Sequence, residues 1–336
     1  MTNLDEKEFI RLVASKLKND LVDIGKDDVV FLSLKKIKKT LTKANLILKC
    51  DMLVESTDVP KEMEPWQIAR KSIVACISDL SAKGVMPYVS MISIGIPKKY
   101  TRPKIKDLIV GFQLASKEFG VKIVGGDTNV SNELIIDCVM IGFQNNHDSL
   151  PKRIGAKPGD LVIASGDFGY SASGLKILNE NMKAEANFRE KAVLSVLLPK
   201  PRQKFGLCLA RYFSSSIDSS DGLASSLYEL ARQSKVNFFI NYVPFTKDIK
   251  DFALRNRLDA KSLVFYGGEE YEIIATISRS HLAKAKTIAR KSRLRLIVIG
   301  KVENGNGSVF VKEQSSASYP NSRYSSLNDL GYVHSF

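Results

Sequence analysis

The segment Lys122–Asn129, KIVGGDTN, restricts the possible folds more than any other stretch of the chain. An apolar run from Val121 to Val124 has the composition of a short buried strand. Gly125-Gly126 then interrupts it, and a glycine pair lets the backbone turn tightly and come close to a ligand. This reading sets Asp127 at the exposed end of the strand. A carboxylate in that place suits hydrated Mg²⁺, a hard ion that binds through one or two carboxylates together with substrate phosphates. Taken alone, the octapeptide describes a hairpin turn equally well.

The pattern of an apolar run closed by an acid recurs. NLILKCD reads as a strand ending on Asp51, and Asp27-Asp28 stand before the strand-like VVFLSL. In SSSIDSSDGL a strand over 214–217 ends on Asp218, and Asp221 stands at the start of a helix carrying Leu223, Leu227 and Leu230 on one side. An N-cap role accounts for Asp221 by itself, but it leaves Asp218 unexplained. Asp79 lies inside an apolar helix over 66–84, where an exposed surface acid is the simpler reading. Glu269 and Glu270 follow Gly267-Gly268 just ahead of another strand. Asp28, Asp51, Asp79, Asp127, Asp218 and Asp221 are too many carboxylates for one acid-base pair, and gathering them requires cations to offset their repulsion. Two or more Mg²⁺ ions bridging a nucleoside triphosphate would do so and would stabilise charge as a phosphoryl group moves. His147, His281 and His334 fall in a linker, on a polar helix end and near the C-terminus, so no Ser-His or Cys-His pairing is indicated. Direct in-line transfer is the chemistry left.

A chain of 336 residues fits two domains. The polar, turn-rich QNNHDSLPKRIGAKPGD marks the boundary, giving 1–147 and 148–336. Loosely alternating strands and helices in the first half predict a mixed α/β domain. The second half opens on LVIASGDFGYSASGLKIL, a strand, a glycine-rich turn and a helix; its DFG lacks the HRD and VAIK-like partners of a protein kinase. The net charge of +14 favours anionic partners such as nucleotides. No nucleic-acid-binding motif accompanies that charge, so a nucleic-acid partner is not expected. Cys50, Cys76, Cys138 and Cys208 are far apart in apolar segments and are expected to be buried and reduced. No apolar run approaches the roughly 20 residues of a membrane span, and the N-terminus lacks the layout of a signal peptide, which together suggest the cytoplasm.

Seven motifs in order, KDDVV at 26, CDMLVESTDVP at 50, ISDLSAKGVMP at 77, VGGDTN at 124, RIGAKPGDLVIASGDFGYSASGLKIL at 153, IDSSDGL at 217 and YGGEEYEI at 266, resemble those of the thiamine-monophosphate kinases. That family lies within the aminoimidazole ribonucleotide synthetase superfamily. The resemblance implies a two-domain α/β (α+β) fold, with an N-terminal domain that pairs across a homodimer and binds ATP and Mg²⁺. The C-terminal domain would add metal, ATP and substrate contacts. It implies Mg²⁺-dependent transfer of the ATP γ-phosphoryl group to thiamine monophosphate. By motif position, the six aspartates resemble metal ligands. Gly126, Asp127, Arg153 and Ser220 resemble ATP contacts, and Asp58, Glu269 and Tyr332 resemble substrate contacts. The chain departs from the common pattern at several positions. Asp58 stands where many bacterial members carry histidine, as in archaeal members, and Lys26 replaces a glycine. Ser219 replaces an isoleucine, Glu270 an aspartate and Tyr332 a tryptophan. The alternatives are another ATP-dependent synthetase of the superfamily or a non-catalytic nucleotide-binding module.

Overall fold

The computed structural model describes residues 6–17, 44–145, 150–313 and 323–330. Asp28, with the strand expected after it, and Tyr332 lie outside the described residues. The chain divides into two compact units, one of residues 1–80 and 85–148 and the other of 81–84 and 149–336.

In the first unit the described elements are α1 (Glu6–Lys16), β1 (Ala44–Val54), the single turn α2 (Glu55–Asp58), α3 (Pro65–Ala82), β2 (Met86–Pro97), α4 (Arg102–Phe119), β3 (Lys122–Ser131) and β4 (Ile135–Asn145). The strands form one sheet in the order β1-β4-β2-β3, in which β2 and β3 run parallel and the other pairs are antiparallel. A parallel neighbour requires a crossover, and α4 provides it. Ile105, Leu108, Ile109, Phe112, Ala115 and Phe119 bury one stripe of α4 at the three-and-four spacing of a helix. Pro103 stands in its first turn, and Gly120 ends it at φ +68. Thr101 occupies the N-cap position, although its hydroxyl makes no capping bond. Helix α3 crosses α4 closely: a Cβ on Gly111 would lie 2.1 Å from the Trp66 carbonyl oxygen. Its Ile73, Val74 and Ile77 are fully buried, each worth roughly 1.5–3 kcal/mol. The Cys76 thiol donates to the Cys138 carbonyl at 3.1 Å, which seats α3 on β4.

Two expectations about strand ends are corrected. Strand β3 does not turn at Gly125-Gly126 but runs through them to Ser131. The pairing with β2 slips instead, from Ser90↔Ile123 to Met91↔Gly125, leaving Val124 as an extra residue. Gly126 is required by strand packing, since a Cβ there would lie 1.8 Å from the Ile92 carbonyl oxygen. Strand β1 likewise passes through Asp51 to Val54. The cysteine expectation of burial holds for Cys76 and Cys138, while Cys50 is exposed and Cys208 half-buried.

The second unit contains β5 (Leu161–Ala164), α5 (Tyr170–Glu180), α6 (Ala186–Leu197), α7 (Gln203–Leu209) with a 3-10 turn over Ala210–Tyr212, and β6 (Phe213–Ser219). Next come α8 (Leu223–Ser234), β7 (Val236–Ile240), α9 (Lys247–Arg255), α10 (Ala260–Phe265) and β8 (Glu272–Ile277). The described chain continues with α11 (Arg279–Lys291), β9 (Ile297–Asn304), β10 (Val309–Lys312) and β11 (Tyr324–Ser326). Seven strands form a mixed sheet in the order β11-β10-β7-β9-β5-β8-β6. β8 is buried along its whole length, as expected of a strand with core on both sides. One core holds Leu223, Leu227 and Leu230 of α8 with Phe238 and Ile274, and another holds Phe205 of α7 and Ala285 of α11 with Ile163 and Ile273. The ends of β5 and β6 and the start of β8 share one edge of this sheet, because β8 is antiparallel to both neighbours.

Candidate active site

In the first unit, Lys49 and Asp51 stand two apart on β1 and therefore project to the same face. Asp79 reaches toward them from α3. The Lys49 ammonium lies 2.6 Å from Asp79 Oδ2 and 3.3 Å from Asp51 Oδ2, so two expected ligand carboxylates share one cation. Burial pulls the Lys49 ammonium down, but Asp79 and then Asp51 outweigh it and hold the group above the usual lysine range. Burial pushes the Asp51 carboxyl up, and Lys49 offsets only part of that. The sequence reading missed Lys49, although its position two residues before Asp51 on a strand was the signal for it.

Asp127 is not part of this group. The register places Asp51 in a row with Cys138, Ile92 and Gly126, and Asp127 in the next row with Met52, Asp137 and Ser93. Adjacent rows face opposite sides of a sheet, and three strand spacings make roughly 14 Å. Asp127 is exposed on the edge strand β3. Asp58 ends α2, and its Oδ2 accepts the Val54 N–H at 2.7 Å, which fixes the carboxylate's direction. Lys71 binds the Asp58 carbonyl at 2.5 Å. Among the described residues, no three His, Cys, Asp or Glu side chains are grouped so as to hold a metal ion.

In the second unit, β6 carries Asp218 as its buried penultimate residue and ends on Ser219. Asp221 precedes the helix rather than capping it: Gly222, at φ +104, occupies the N-cap of α8. The Glu269 N–H donates to the Ser220 carbonyl at 2.6 Å and the Tyr271 N–H to the Ser219 carbonyl at 3.0 Å. These bonds zip the loop before β8 onto the turn after β6. The close fit depends on Gly268, where a Cβ would stand 2.7 Å from the Ser220 carbonyl oxygen. It also holds Glu269 at φ +62 and Tyr271 at φ +52, left-handed conformations costing on the order of 1 kcal/mol or more each. The structure thus brings Glu269 beside Ser220 and Asp221. Arg153 is anchored elsewhere on the unit, with its guanidinium 3.1 Å from Glu229 on α8.

The same sheet edge holds two buried carboxyl groups of the YGGEEYEI motif whose partners the sequence did not reveal. Glu272 is buried and takes two prongs from Arg202, one at 2.8 Å from Nε, with Ser165 Oγ also donating to it. Glu270 accepts the Gly169 N–H at 2.6 Å and the Ser171 N–H at 3.2 Å. Burial pushes its carboxyl up to about 8, against those two donors.

Residues 25–144 match the family described as AIR synthase related protein, N-terminal domain, and residues 157–312 match AIR synthase related protein, C-terminal domain. These two matches define a two-domain protein of the AIR synthase-related class. The thiamine-monophosphate kinase of Nitrosopumilus maritimus (strain SCM1) is 40% identical over 334 residues, 99% of each chain. That of Pyrococcus horikoshii is 32% identical over 316 residues, 94% of this chain and 93% of its own. A solved structure of AaThiL complexed with AMPPCP and TMP superposes with a TM-score of 0.73 at 24% identity, covering 93% of this chain and 95% of that one. The chain belongs to the thiamine-monophosphate kinase family.

Proposed function

We propose that this chain transfers the γ-phosphoryl group of ATP to the phosphate of thiamine monophosphate, giving thiamine diphosphate and ADP. The observation that carries the reading is the 40% identity, over essentially the whole chain, to a thiamine-monophosphate kinase. The solved structure of AaThiL complexed with AMPPCP and TMP supports a donor and an acceptor binding to the same fold.

Asp51 and Asp79 already share a single cation through oxygen donors, which is the chemistry a hard divalent ion requires. Asp51 and Asp79 with Asp28, Asp218 with Asp221 in the second unit, and Asp127 separately, on the opposite face of the first sheet, are the carboxylates that would hold Mg²⁺, which when bound offsets phosphate charge during transfer. Gly126, Asp127, Ser220 and Arg153 receive ATP, with Arg153 exchanging Glu229 for phosphate. Glu269, Asp58 and Tyr332 receive the acceptor. With these roles, the backbone bond from Glu269 to Ser220 would keep the acceptor contact next to an ATP contact, and one loop pair would orient both substrates. No side chain needs to form a covalent intermediate, and the residues act by positioning and by electrostatics.

The reading includes a homodimer. The sheet face opposite α3 carries Leu48 at 65% exposure, Met52 at 61% and Met91 at 42%, an apolar surface of the kind that marks an interface. ATP as donor fits a cytoplasmic setting. The test is to incubate purified protein with Mg²⁺, ATP and thiamine monophosphate and to separate products by chromatography. Thiamine diphosphate and ADP in equal amounts are expected; ADP without thiamine diphosphate would overturn the acceptor assignment.

A further inference from the structure

A cavity of about 620 Å³ opens in the second unit among α5, α6, the segment before α7 and the turn between α11 and β9. None of Arg153, Asp218, Ser220, Asp221 and Glu269 lines it. Five cations do: Lys191, Lys200, Arg202, Arg293 and Arg295. They face three carboxyl groups, Asp167, Glu270 and Glu272.

The pairings leave an excess of positive charge. Arg202 is committed to Glu272 by two prongs. Arg295 donates through one guanidinium nitrogen to Asp167 Oδ2, while Asp167 Oδ1, nearly inaccessible, has no hydrogen-bond partner among the described residues. That pair is half-made, and Arg295 keeps further donors in a fork geometry that matches phosphate. Lys191 lies 4.0 Å from the Tyr170 ring centre and bonds the phenol oxygen at 2.5 Å. Lys200 and Arg293, unlike Arg202 and Arg295, enter no ion pair among the described residues. Burial pushes the Glu270 carboxyl up to about 8, which lessens its share in cancelling this charge. Leu194, Leu198, Leu294 and Phe205 supply an apolar wall beside the cations. A cavity of this size with an apolar wall and a few convergent polar groups is that of a small-molecule site.

We infer that this cavity is a second ligand site, separate from the ATP and thiamine monophosphate contacts, for an organic phosphate. Its phosphate would be held by Lys200, Arg293 and Arg295 and its organic part by the leucine wall. Excess charge from several cations selects a group carrying two or more negative charges over a monocarboxylate. Arg293, at φ +56, makes the sharp turn that sets it and Arg295 on the same rim.

The test is isothermal titration of the 336-residue chain with inorganic pyrophosphate, in EDTA so that no divalent ion contributes. Wild type is expected to show one saturable site. Lys200→Ala with Arg293→Ala should weaken it at least tenfold, while Asp218→Asn with Asp221→Asn should leave it unchanged. Both Lys200 and Arg293 are on the cavity rim, and circular dichroism would confirm that the double variant is folded. The same variant should keep the kcat and KM for thiamine monophosphate. No saturable site in wild type, or equal affinity in the Lys200/Arg293 variant, would overturn the site. A tenfold rise in the KM for thiamine monophosphate would show that the cavity seats the acceptor, and so overturn its separateness. Absence of kinase activity in wild type would count against the proposed reaction alone, because the titration does not depend on turnover.

Discussion

Glu270→Gln is a perturbation whose effect can be worked from the structure. The wild-type carboxyl is buried and displaced from an ordinary value of 4.5 to about 8, mainly by loss of solvent, with the Gly169 and Ser171 N–H donors opposing that displacement. Between these two values the unfolded chain has lost the proton and the folded chain has kept it. The native state then binds more protons than the unfolded state, so stability falls as pH rises through this window and levels off above about pH 8. Full displacement corresponds to roughly 5 kcal/mol, and the part reached at pH 7 to about 3 kcal/mol. Glutamine offers the same carbonyl oxygen to Gly169 and Ser171 and has no proton to lose. For a unit of this size 1 kcal/mol moves Tm by about 2–4 °C. Thermal melts of wild type and variant at half-unit steps from pH 4.5 to 9 should therefore give nearly equal Tm values at the acid end. The variant should gain on the order of 6–12 °C at pH 7. A difference that does not change with pH would refute the reasoning, since it would mean that the two backbone donors and Arg202 hold Glu270 ionised in the native state.

Other outcomes follow from the same geometry. Asp127→Asn and Asp221→Asn should each lower turnover at least about 100-fold with the fold preserved, because loss of a ligand removes charge stabilisation worth several kcal/mol; near-normal steady-state rates in both would remove the metal-site assignment. Lys49→Gln leaves Asp51 and Asp79 without their shared cation and should cost about 1–3 kcal/mol in metal-free buffer. Mg²⁺ should restore part of that Tm, and equal Mg²⁺ responses in wild type and variant would show that the ion binds elsewhere. Asp58→Asn should raise the KM for thiamine monophosphate more than that for ATP, and equal changes would assign Asp58 to the nucleotide side. Leu48→Glu with Met52→Glu should convert a dimer to a monomer in sedimentation velocity, whereas an unchanged sedimentation coefficient would remove the apolar face as the dimer interface.

Periodicity and caps made much of the architecture legible. The stripe of α4, its proline-led start and its Gly120 end are local features, and the helix they predict is the one that forms. Strand ends were misread at Gly125-Gly126 and at Asp51 for a common reason. A glycine pair signals a turn when only the chain's own conformational freedom is considered. At Gly126 the requirement comes instead from the neighbouring strand, whose Ile92 carbonyl occupies the space of a Cβ. That neighbour is some 30 residues distant in sequence, and no local pattern reports it. Pairings were hidden in the same way: Arg202 and Glu272, the latter inside the YGGEEYEI motif, lie 70 residues apart, and only folding joins them.

The acids differ in how their positions are fixed. Had they all been strand ends, they would gather at one edge of each sheet, as Asp218 and the Glu269 loop do in the second unit. In the first unit Asp51 lies within β1 and Asp127 within β3, in adjacent rows that face opposite sides. A strand interior offers less freedom than a loop, so each carboxylate's direction is fixed by the pleat and its height by the register. Lys49 then has a definite part in that arrangement: it shares the pleat with Asp51, and without its charge the sheet would hold that carboxylate half-buried beside Asp79 with nothing to offset the two. The same rigidity that positions the acids makes an intrinsic cation necessary whenever no divalent ion is bound.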